Sequence, residues 1–449
     1  MEWTMMSIRS FILRFKRLGG LLVFIACLML TETVLEYLLV VRDGFTELLM
    51  TDFYEMEENI DNIYLGSSHV HYNIQPEILD EITGENNFNL STGLQPMNAS
   101  YYLLREADKR QKLSHVYLEI SVGLVTGDYG KITDYTQLPN NWRVLNYVKP
   151  SFNKLEWMLS ASEPQYYYLT FIPSIRYHKE FLDGKHMANR LKEKLADKNT
   201  TWNGGYVYKG YRDDRTTIDG MYLKNKEEII LGNNPISQEV IIYMDKIMKY
   251  CHDNGIELTI FTSPIADCEM LNIKDYDNYL FQMREIVSEY QVPYYDFNLC
   301  KSEYLNLQDE KLWRDTNHLN FWGAEIFTHF LGEVNESAKK GEDVTKFFFD
   351  SYEQKKEMSS FLGGLRVMTL SDNSDEMTVS VDTIDNFKDK REVEYKVYLL
   401  DEEGNEESLI QDWGTQNIFV LNKKNGAEYA EIQARSGENI IKCKIALMD

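Results

Sequence analysis

The amino-acid sequence predicts an α/β protein: a three-layer α/β/α domain with about five parallel strands, an N-terminal membrane-spanning helix and a small C-terminal β-sandwich. Between residues 60 and 335, short apolar strands alternate with amphipathic helices, which is typical of a parallel sheet with helices on its faces. One apolar run near the N-terminus is long enough to cross a bilayer. From about residue 360, short alternating runs separated by turn residues indicate an antiparallel sandwich.

The N-terminal segment predicts a membrane anchor. Residues 1–18 are basic, and residues 19–41 form one apolar run, GGLLVFIACLMLTETVLEYLLVV. Basic residues before a span keep that end in the cytoplasm, so we expect a single-pass protein of the cell membrane whose bulk is extracytoplasmic. Glu32 and Glu36 are costly in lipid unless they lie near the interface or are paired. A cleaved signal peptide is the alternative, although no A-x-A-like site follows the apolar core.

Residues 42–335 predict the α/β domain, because strand and helix signals alternate there. Residues 122–235 interrupt the alternation and are rich in Tyr, Asn, Lys and Asp. We interpret them as an insertion or cap that serves as a lid over the site. The predicted strands, in chain order, are NIYLGSS, NFNLSTG, HVYLEIS, IELTIFTSP and VPYYDFN. The predicted helices are QPEILDEITGEN, NASYYLLREADKRQKL, ISQEVIIYMDKIMKYCHDNG, YDNYLFQMREIVSEY and a last one after DTNH.

The C-terminal third is predicted to hold two further parts. Residues 336–359 contain a run of charges that we interpret as a linker helix with a solvated face. Residues 360–449 contain the alternating segments EMTVSVDTI, EVEYKVYLLDEEGNEE and NIIKCKIALMD, which predict the β-sandwich.

Composition excludes some classes of function. The formal net charge of −24 argues against a nucleic-acid partner, because a phosphate polymer needs a basic face. The five cysteines are far apart in the chain and include no CxxC pair, so a disulfide framework or a zinc ribbon has little support. The 30 tyrosines serve packing or sugar stacking.

Two polar motifs at opposite ends of the α/β region could form one site. Ser68 follows the first strand in LGSSH, and Asp315 and His318 lie in DTNH after the last strand. The segments that follow parallel strands emerge at the same edge of a sheet, so these motifs can meet. A serine hydroxyl needs an imidazole to take its proton, and the imidazole needs a carboxylate to fix its tautomer. Gly66 permits the sharp turn that exposes the hydroxyl.

These motifs resemble the SGNH, or GDSL-like, hydrolase superfamily, whose domain is flavodoxin-like. The resemblance implies Ser68 as the nucleophile, with its N–H and that of Gly93 in the oxyanion hole. The sequence departs from the family in two places. Ser67 stands where the family has aspartate, and LEIS stands where it has a G-x-N-D block. Gln95 or Ser121 could replace the missing asparagine donor.

In these departures the chain is similar to the membrane-anchored, DltD-like branch of that superfamily. The resemblance implies a serine esterase or O-acyltransferase acting on acyl esters of a cell-surface polysaccharide or teichoic-acid-like polymer. A membrane-bound O-acyltransferase is an implied partner, and no cofactor is expected. Whether water or a sugar hydroxyl accepts the acyl group stays open, since both use the same machinery.

Two other hypotheses come from different classes of protein. In the first, the α/β domain is a catalytically inactive scaffold that binds glycan or partners in surface-polymer assembly, which the missing G-x-N-D block favours. In the second, His69 and His71 join Asp315 and His318 in a hydrolytic metal site. We favour no metal, with His69 packed beside the nucleophile turn and His71 solvated.

Overall fold

The computed structural model of this chain describes residues 2–39, 44–176, 183–195, 205–387, 392–423 and 427–447. The chain divides into two compact units. The first unit comprises Met1–Leu48 and Thr133–Gly204, and the second comprises Leu49–Ile132 and Gly205–Asp449. Residues 40 and 41, the end of the expected anchor, lie outside the described residues.

Two of the helices, α4 (Pro76–Thr83) and α12 (Gln238–Asn254), carry end signals that can be read in the sequence. Helix α4 begins at Pro76 and ends before Gly84, which has a left-handed φ of 71°. Helix α12 has Ser237 as its N-cap and ends before Gly255, with a φ of 67°. The helices are α1 (Glu2–Leu39), α2 (Gly44–Glu55), α3 (Ser68–Asn73), α4 (Pro76–Thr83), α5 (Met97–Asp108), α6 (Val122–Val125), α7 (Leu138–Leu145), α8 (Phe152–Ser160), α9 (Tyr167–Phe171), α10 (Pro173–Arg176), α11 (Gly184–Leu195), α12 (Gln238–Asn254), α13 (Asp267–Asn272), α14 (Tyr276–Ser288), α15 (Phe321–Lys339) and α16 (Tyr352–Met358).

The strands are short in the α/β region and longer towards the C-terminus. They are β1 (Asn62–Leu65), β2 (Asn87–Asn89), β3 (His115–Glu119), β4 (Tyr222–Lys224), β5 (Ile229–Ile230), β6 (Glu257–Thr262), β7 (Ile273–Lys274), β8 (Tyr294–Asp296), β9 (Trp313–Asp315), β10 (His318–Leu319), β11 (Leu362–Asp372), β12 (Glu376–Asp385), β13 (Glu394–Leu400), β14 (Glu406–Gly414), β15 (Ile418–Asn422), β16 (Tyr429–Ser436) and β17 (Asn439–Ala446).

The first unit contains helix α1 and the helices between residues 138 and 195. Within α1, the stretch Lys16–Leu35 is apolar and long enough to cross a membrane, with a mean hydropathy of 2.2 and no buried side chains. Such a helix is either a membrane anchor or a signal sequence. The expectation of one apolar helix near the N-terminus is therefore confirmed.

A five-stranded parallel sheet forms the centre of the second unit. Its spatial order is β2, β1, β3, β6, β8, so the third, fourth and fifth strands follow one another to one side of β1. Every neighbouring pair is parallel. The expectation of about five parallel strands is confirmed, and all five predicted segments supply one strand each. Because the strands are parallel, the residues that follow them lie at one sheet edge.

Burial explains why β1 reads as a continuous apolar run. Ile63, Tyr64 and Leu65 are all buried, as a central strand covered on both faces requires. The ring of Tyr64 stacks on that of Tyr117 in β3, with centroids 4.5 Å apart and planes 5° apart. Strand β1 is therefore held between β2 and β3 up to the turn that follows it.

Two four-stranded sheets form the C-terminal part of the second unit. One has the order β15, β12, β11, β4, and the other has the order β14, β13, β16, β17. Buried side chains of both sheets, including Val379 and Ile432, form one hydrophobic cluster. The predicted antiparallel strands are confirmed. Strand β4 is unexpected, because it comes from the predicted insertion at 122–235 and pairs in parallel with β11.

The charged run after residue 336 contains the end of α15, a 3₁₀ turn at Thr345–Phe347, and α16. One of its lysines is not solvated. Lys355 is buried, lies 3.1 Å from Asp267 and donates to the carbonyl of Asn298 at 2.8 Å. A buried ammonium needs such partners, so this lysine ties α16 to the α/β region.

Candidate active site

The turn after β1 has space only for a glycine. Gly66 has a φ of 155°, and a Cβ added there would lie 2.6 Å from the Cβ of Glu119 and 2.6 Å from a methyl carbon of Val70. Ser67 is the N-cap of α3, and its hydroxyl accepts from the backbone N–H of His69 at 3.3 Å. The chain therefore turns sharply into α3, and Ser68 is its first residue.

Ser68, His318 and Asp315 form a continuous chain of hydrogen bonds. Ser68 Oγ lies 2.8 Å from His318 Nε2, although the two residues are 250 positions apart. His318 Nδ1 lies 2.9 Å from Asp315 Oδ1 and 3.1 Å from Oδ2. Ser68 and His318 are half-buried. The structure thus brings the three sequence-predicted residues together.

Hydrogen bonds from α3 to β10 and to α15 hold the two motifs together. The side-chain oxygen of Asn73, at the end of α3, accepts from the backbone N–H of Leu319, next to His318. The hydroxyl of Thr328 in α15 donates to the carbonyl of Asn73 at 3.2 Å. These contacts are independent of the triad itself, so the serine and the imidazole are positioned by their supporting backbone.

The DTNH motif forms a tight turn around its own aspartate. Asp315 Oδ1 accepts from the backbone N–H of Asn317 at 2.9 Å and of His318 at 3.0 Å. Glu269 of α13 holds the turn from outside, by accepting from the hydroxyl of Thr316 at 2.5 Å and the amide of Asn317 at 3.2 Å. The orientation of the carboxylate relative to the imidazole is therefore fixed.

The electrostatics favour a neutral imidazole beside an ionised carboxylate. Burial lowers the pKa of His318, and the nearby His69 lowers it further, although the hydrogen bond with Asp315 opposes them. Burial alone would raise the pKa of Asp315, but the hydrogen bond from His318 and those from the turn outweigh it and lower the pKa to about 2. At neutral pH, the imidazole of His318 is then uncharged, and the lone pair of its Nε2 faces the Ser68 hydroxyl.

A buried glutamate supports the nucleophile turn from the neighbouring strand. Glu119 ends β3, and its Oε2 accepts from the backbone N–H and the hydroxyl of Ser67, each at 3.1 Å. Its Oε1 lies 3.5 Å from His69 Nδ1. Sequence reasoning noted this position only as part of the LEIS departure. The sequence signal for Glu119 is a carboxylate at the end of a strand. That signal points to the GSS turn only when β1 and β3 are known to be neighbours.

One tyrosine and two arginines lie on another side of the imidazole. The ring of Tyr72 lies 5.0 Å from that of His318. The guanidinium groups of Arg212 and Arg314 lie 4.7 Å and 4.5 Å from the Tyr72 ring centre. Such cation–π contacts hold the ring in place, and Tyr72 in turn restricts the movement of His318.

The expected oxyanion residues lie in the segments that follow β2 and β3. Gly93 precedes Leu94, whose φ is 53°, and Ser121 is the N-cap of α6. The amide of Gln95 is used within its own segment, because its oxygen accepts from Thr92 and its nitrogen donates to Ser100, each at 3.0 Å. The oxyanion roles of these residues stay predictions.

The two further histidines lie on α3. His69 is buried, as expected beside the turn, and its ring centre is 5.0 Å from that of His318. The expectation that His71 is solvated is wrong: it is buried, because α3 turns this side chain inward. Among the described residues, no group of three or more His, Cys, Asp or Glu side chains is placed to hold a metal ion.

Comparisons with known proteins find similar solved structures at low sequence identity. No protein-family model matches the chain. No curated protein matches it significantly either. Among solved structures, a provisionally named acylhydrolase from Bacteroides fragilis is 10% identical, covers 67% of this chain and 99% of its own, and has a TM-score of 0.32. An engineered protein is 10% identical, covers 91% of this chain and 98% of its own, and has a TM-score of 0.16. With TM-scores this low, function has to be argued from the site itself.

Proposed function

We propose that this chain is a membrane-anchored, extracytoplasmic serine esterase or O-acyltransferase of the SGNH type. Its substrates are acyl esters of a cell-surface polysaccharide or a teichoic-acid-like polymer. The observation that carries the proposal is the hydrogen-bonded series from Ser68 Oγ through His318 to Asp315. That arrangement has the distances and the order that acyl transfer through a serine requires.

In the first half-reaction, Ser68 Oγ bonds to the acyl carbon while its proton passes to His318 Nε2. The electron pair of the carbonyl moves to its oxygen, and a tetrahedral intermediate forms. As the intermediate collapses, the bond to the leaving alcohol breaks, and the alcohol oxygen takes the proton from His318. Asp315 holds the Nδ1 proton and stabilises the imidazolium that forms in between.

In the second half-reaction, water or a polymer hydroxyl gives its proton to His318 and attacks the acyl group on Ser68. The bond to Ser68 Oγ breaks, and the serine regains its proton. Water as the acceptor makes the protein an esterase, and a sugar hydroxyl makes it an acyltransferase. The N–H groups of Ser68 and Gly93 stabilise the oxyanion, with Gln95 or Ser121 as the candidate third donor.

The proposed domain organisation extends the observed strand order. Residues 42–335 form a flavodoxin-like three-layer domain, since the order 2-1-3-4-5 is the one used by that fold. Residues 336–359 link it to a β-sandwich at 360–449, supported by the core that the two C-terminal sheets share. Residues 1–18 lie in the cytoplasm, because basic residues precede the span at 19–41. The site then faces the envelope polymers, in keeping with the DltD-like resemblance and a membrane-bound O-acyltransferase as partner.

The test is labelling of the full-length protein with a serine-directed fluorophosphonate, together with turnover of a simple acetyl ester. Ser68→Ala should abolish both. Ser288→Ala is the matched control, because Ser288 is an exposed serine at the end of α14; it should still be labelled. Undiminished labelling of Ser68→Ala would reject the assignment.

The inactive scaffold remains the second candidate, and one observation favours it. The Gln95 side chain already accepts from Thr92 and donates one of its two amide hydrogens to Ser100, so only its second N–H is left to replace the missing asparagine donor. A wild-type protein that binds polymer but never reacts with the fluorophosphonate would support the scaffold.

A further inference from the structure

The carboxylate of Glu32 has hydrogen-bonding partners at the edge of the apolar span. Glu32 lies within Lys16–Leu35, where an unpaired carboxylate would be costly in lipid. Its two oxygens accept from the hydroxyl of Ser174 at 2.5 Å and from the backbone N–H of Ser174 at 3.3 Å. At about 1.5 Å of rise per residue, Glu32 is about 4.5 Å from the end of the apolar stretch. Helix α10, which carries Ser174, therefore lies level with the edge of the span.

Helix α8, in the same unit, has an apolar stripe that faces outward. Phe152, Leu155 and Leu159 follow one another at i, i+3 and i+7 and are 91%, 44% and 43% exposed. The opposite face is the packed one, since Trp157 is fully buried and donates to Asn141 at 2.8 Å. Helix α8 therefore packs one face against the protein and exposes an apolar stripe on the other. An exposed stripe of this kind indicates contact with a further apolar environment.

Helices α9 and α10 also expose large apolar side chains. Tyr168 in α9, Phe171 at its end and Ile175 in α10 are all exposed large side chains. Tyrosines concentrate where membranes meet water, because the ring is apolar and the hydroxyl is polar. Three consecutive tyrosines occur here, at residues 166–168.

We propose that the exposed side chains of α8, α9 and α10 lie in the headgroup and acyl boundary of the bilayer that α1 enters. The occupant of this surface is lipid, because the surface belongs to the same unit as α1, and Ser174 bonds a carboxylate inside the apolar span. Amphipathic helices of this kind lie in the plane of the interface. The segment thus anchors the protein a second time and fixes the depth of α1. The inference depends on α1 lying in the membrane, which is part of the proposed function.

The test uses full-length protein in phosphatidylcholine nanodiscs that contain spin-labelled phosphatidylcholine. Phe152→Cys is made in a Cys27→Ser background and labelled with an environment-sensitive fluorophore. Leu155→Cys is made and labelled in the same way, in case the first variant fails to fold. The other native cysteines, Cys251, Cys268, Cys300 and Cys443, are buried. Phe281→Cys is the matched control, because Phe281 is a 63% exposed phenylalanine on a helix of the second unit.

We expect lipid spin labels to quench the fluorophore at residue 152 or 155 at least about twofold more than at residue 281, since an interfacial helix is in contact with acyl chains. Quenching equal to that at residue 281 would overturn the inference and favour a protein partner for this surface. Wild-type protein labelled at the exposed Cys27 separates the two proposals. If Cys27 is quenched and residue 152 is not, only this inference fails. If neither is quenched, the anchor itself is wrong.

Discussion

Glu119 accepts two hydrogen bonds from Ser67, one from its backbone N–H and one from its hydroxyl, each at 3.1 Å. Glu119 ends β3, and Ser67 lies in the turn after β1, so this carboxylate joins neighbouring strands of the sheet beside Ser68. Because it contacts the turn and not the reacting atoms, we regard Glu119 as a positioning residue.

We predict that Glu119→Ala lowers kcat more than it raises KM. The variant leaves the buried N–H of Ser67 without its acceptor, which costs about 1–3 kcal/mol, and lets the Ser68 hydroxyl move away from His318. Glu119→Gln keeps an acceptor oxygen and should recover part of the loss. Steady-state kinetics and thermal unfolding check this. Glu257→Ala is the control, because Glu257 is an exposed glutamate at the start of β6. A Glu119→Ala enzyme with unchanged kcat would contradict the prediction.

We predict that Asp315→Asn reduces kcat by roughly four orders of magnitude. The asparagine amide can donate to His318 Nδ1 and so favours the tautomer whose Nε2 carries the proton, which cannot accept from Ser68. The loss should appear in kcat and in the rate of fluorophosphonate labelling. Asp214→Asn is the control, since the Asp214 carboxylate also lies beside Arg314, at 3.4 Å, but accepts from the hydroxyl of Thr216. Equal losses in the two variants would count against the triad.

The pH dependence of kcat/KM follows from the lowered pKa of His318. His318 must be neutral to accept the serine proton, so the rate falls as the pH drops through its pKa. Because burial and His69 lower that pKa from its ordinary 6.5, the acid limb should lie below pH 6.5 with a neutral ester. Asp315 and Arg314 are the other charged groups facing the imidazole. Since Asp315 raises the pKa of His318, Asp315→Asn should move the limb lower still. A wild-type limb at or above pH 6.5 would contradict this account.

The five strands and the meeting of Ser68 with His318 could be predicted, because each depends on local patterns. An apolar run followed by glycine marks a strand end, and parallel order brings such ends together. Glu119 could not be identified in this way. Its contact with Ser67 depends on the register between β1 and β3, in which Leu65 lies beside Leu118, and nothing near Glu119 in the sequence reports that register.

Two other features also depend on contacts between distant parts of the chain. Strand β4 pairs Leu223 with Arg366, and a three-residue strand in a polar region gives no periodic signal of its own. The prediction of a solvated His71 fails because the chain continues directly from the turn at Gly66 into α3, which buries this histidine. The roles of Ser68, His318 and Asp315 in a reaction stay predictions for the labelling experiment.

We predict that Gly66→Ala destabilises the second unit and abolishes labelling of Ser68. The added methyl group would lie 2.6 Å from the Cβ of Glu119, closer than two carbon atoms can approach without strain, so the turn has to move away from β3. Thermal unfolding and fluorophosphonate labelling measure the two effects. Gly123→Ala in α6 is the matched control, because a Cβ there meets nothing within 4 Å, and it should change neither. If Gly66→Ala unfolds and reacts like wild type, the close packing of the nucleophile turn against Glu119 is not what positions Ser68.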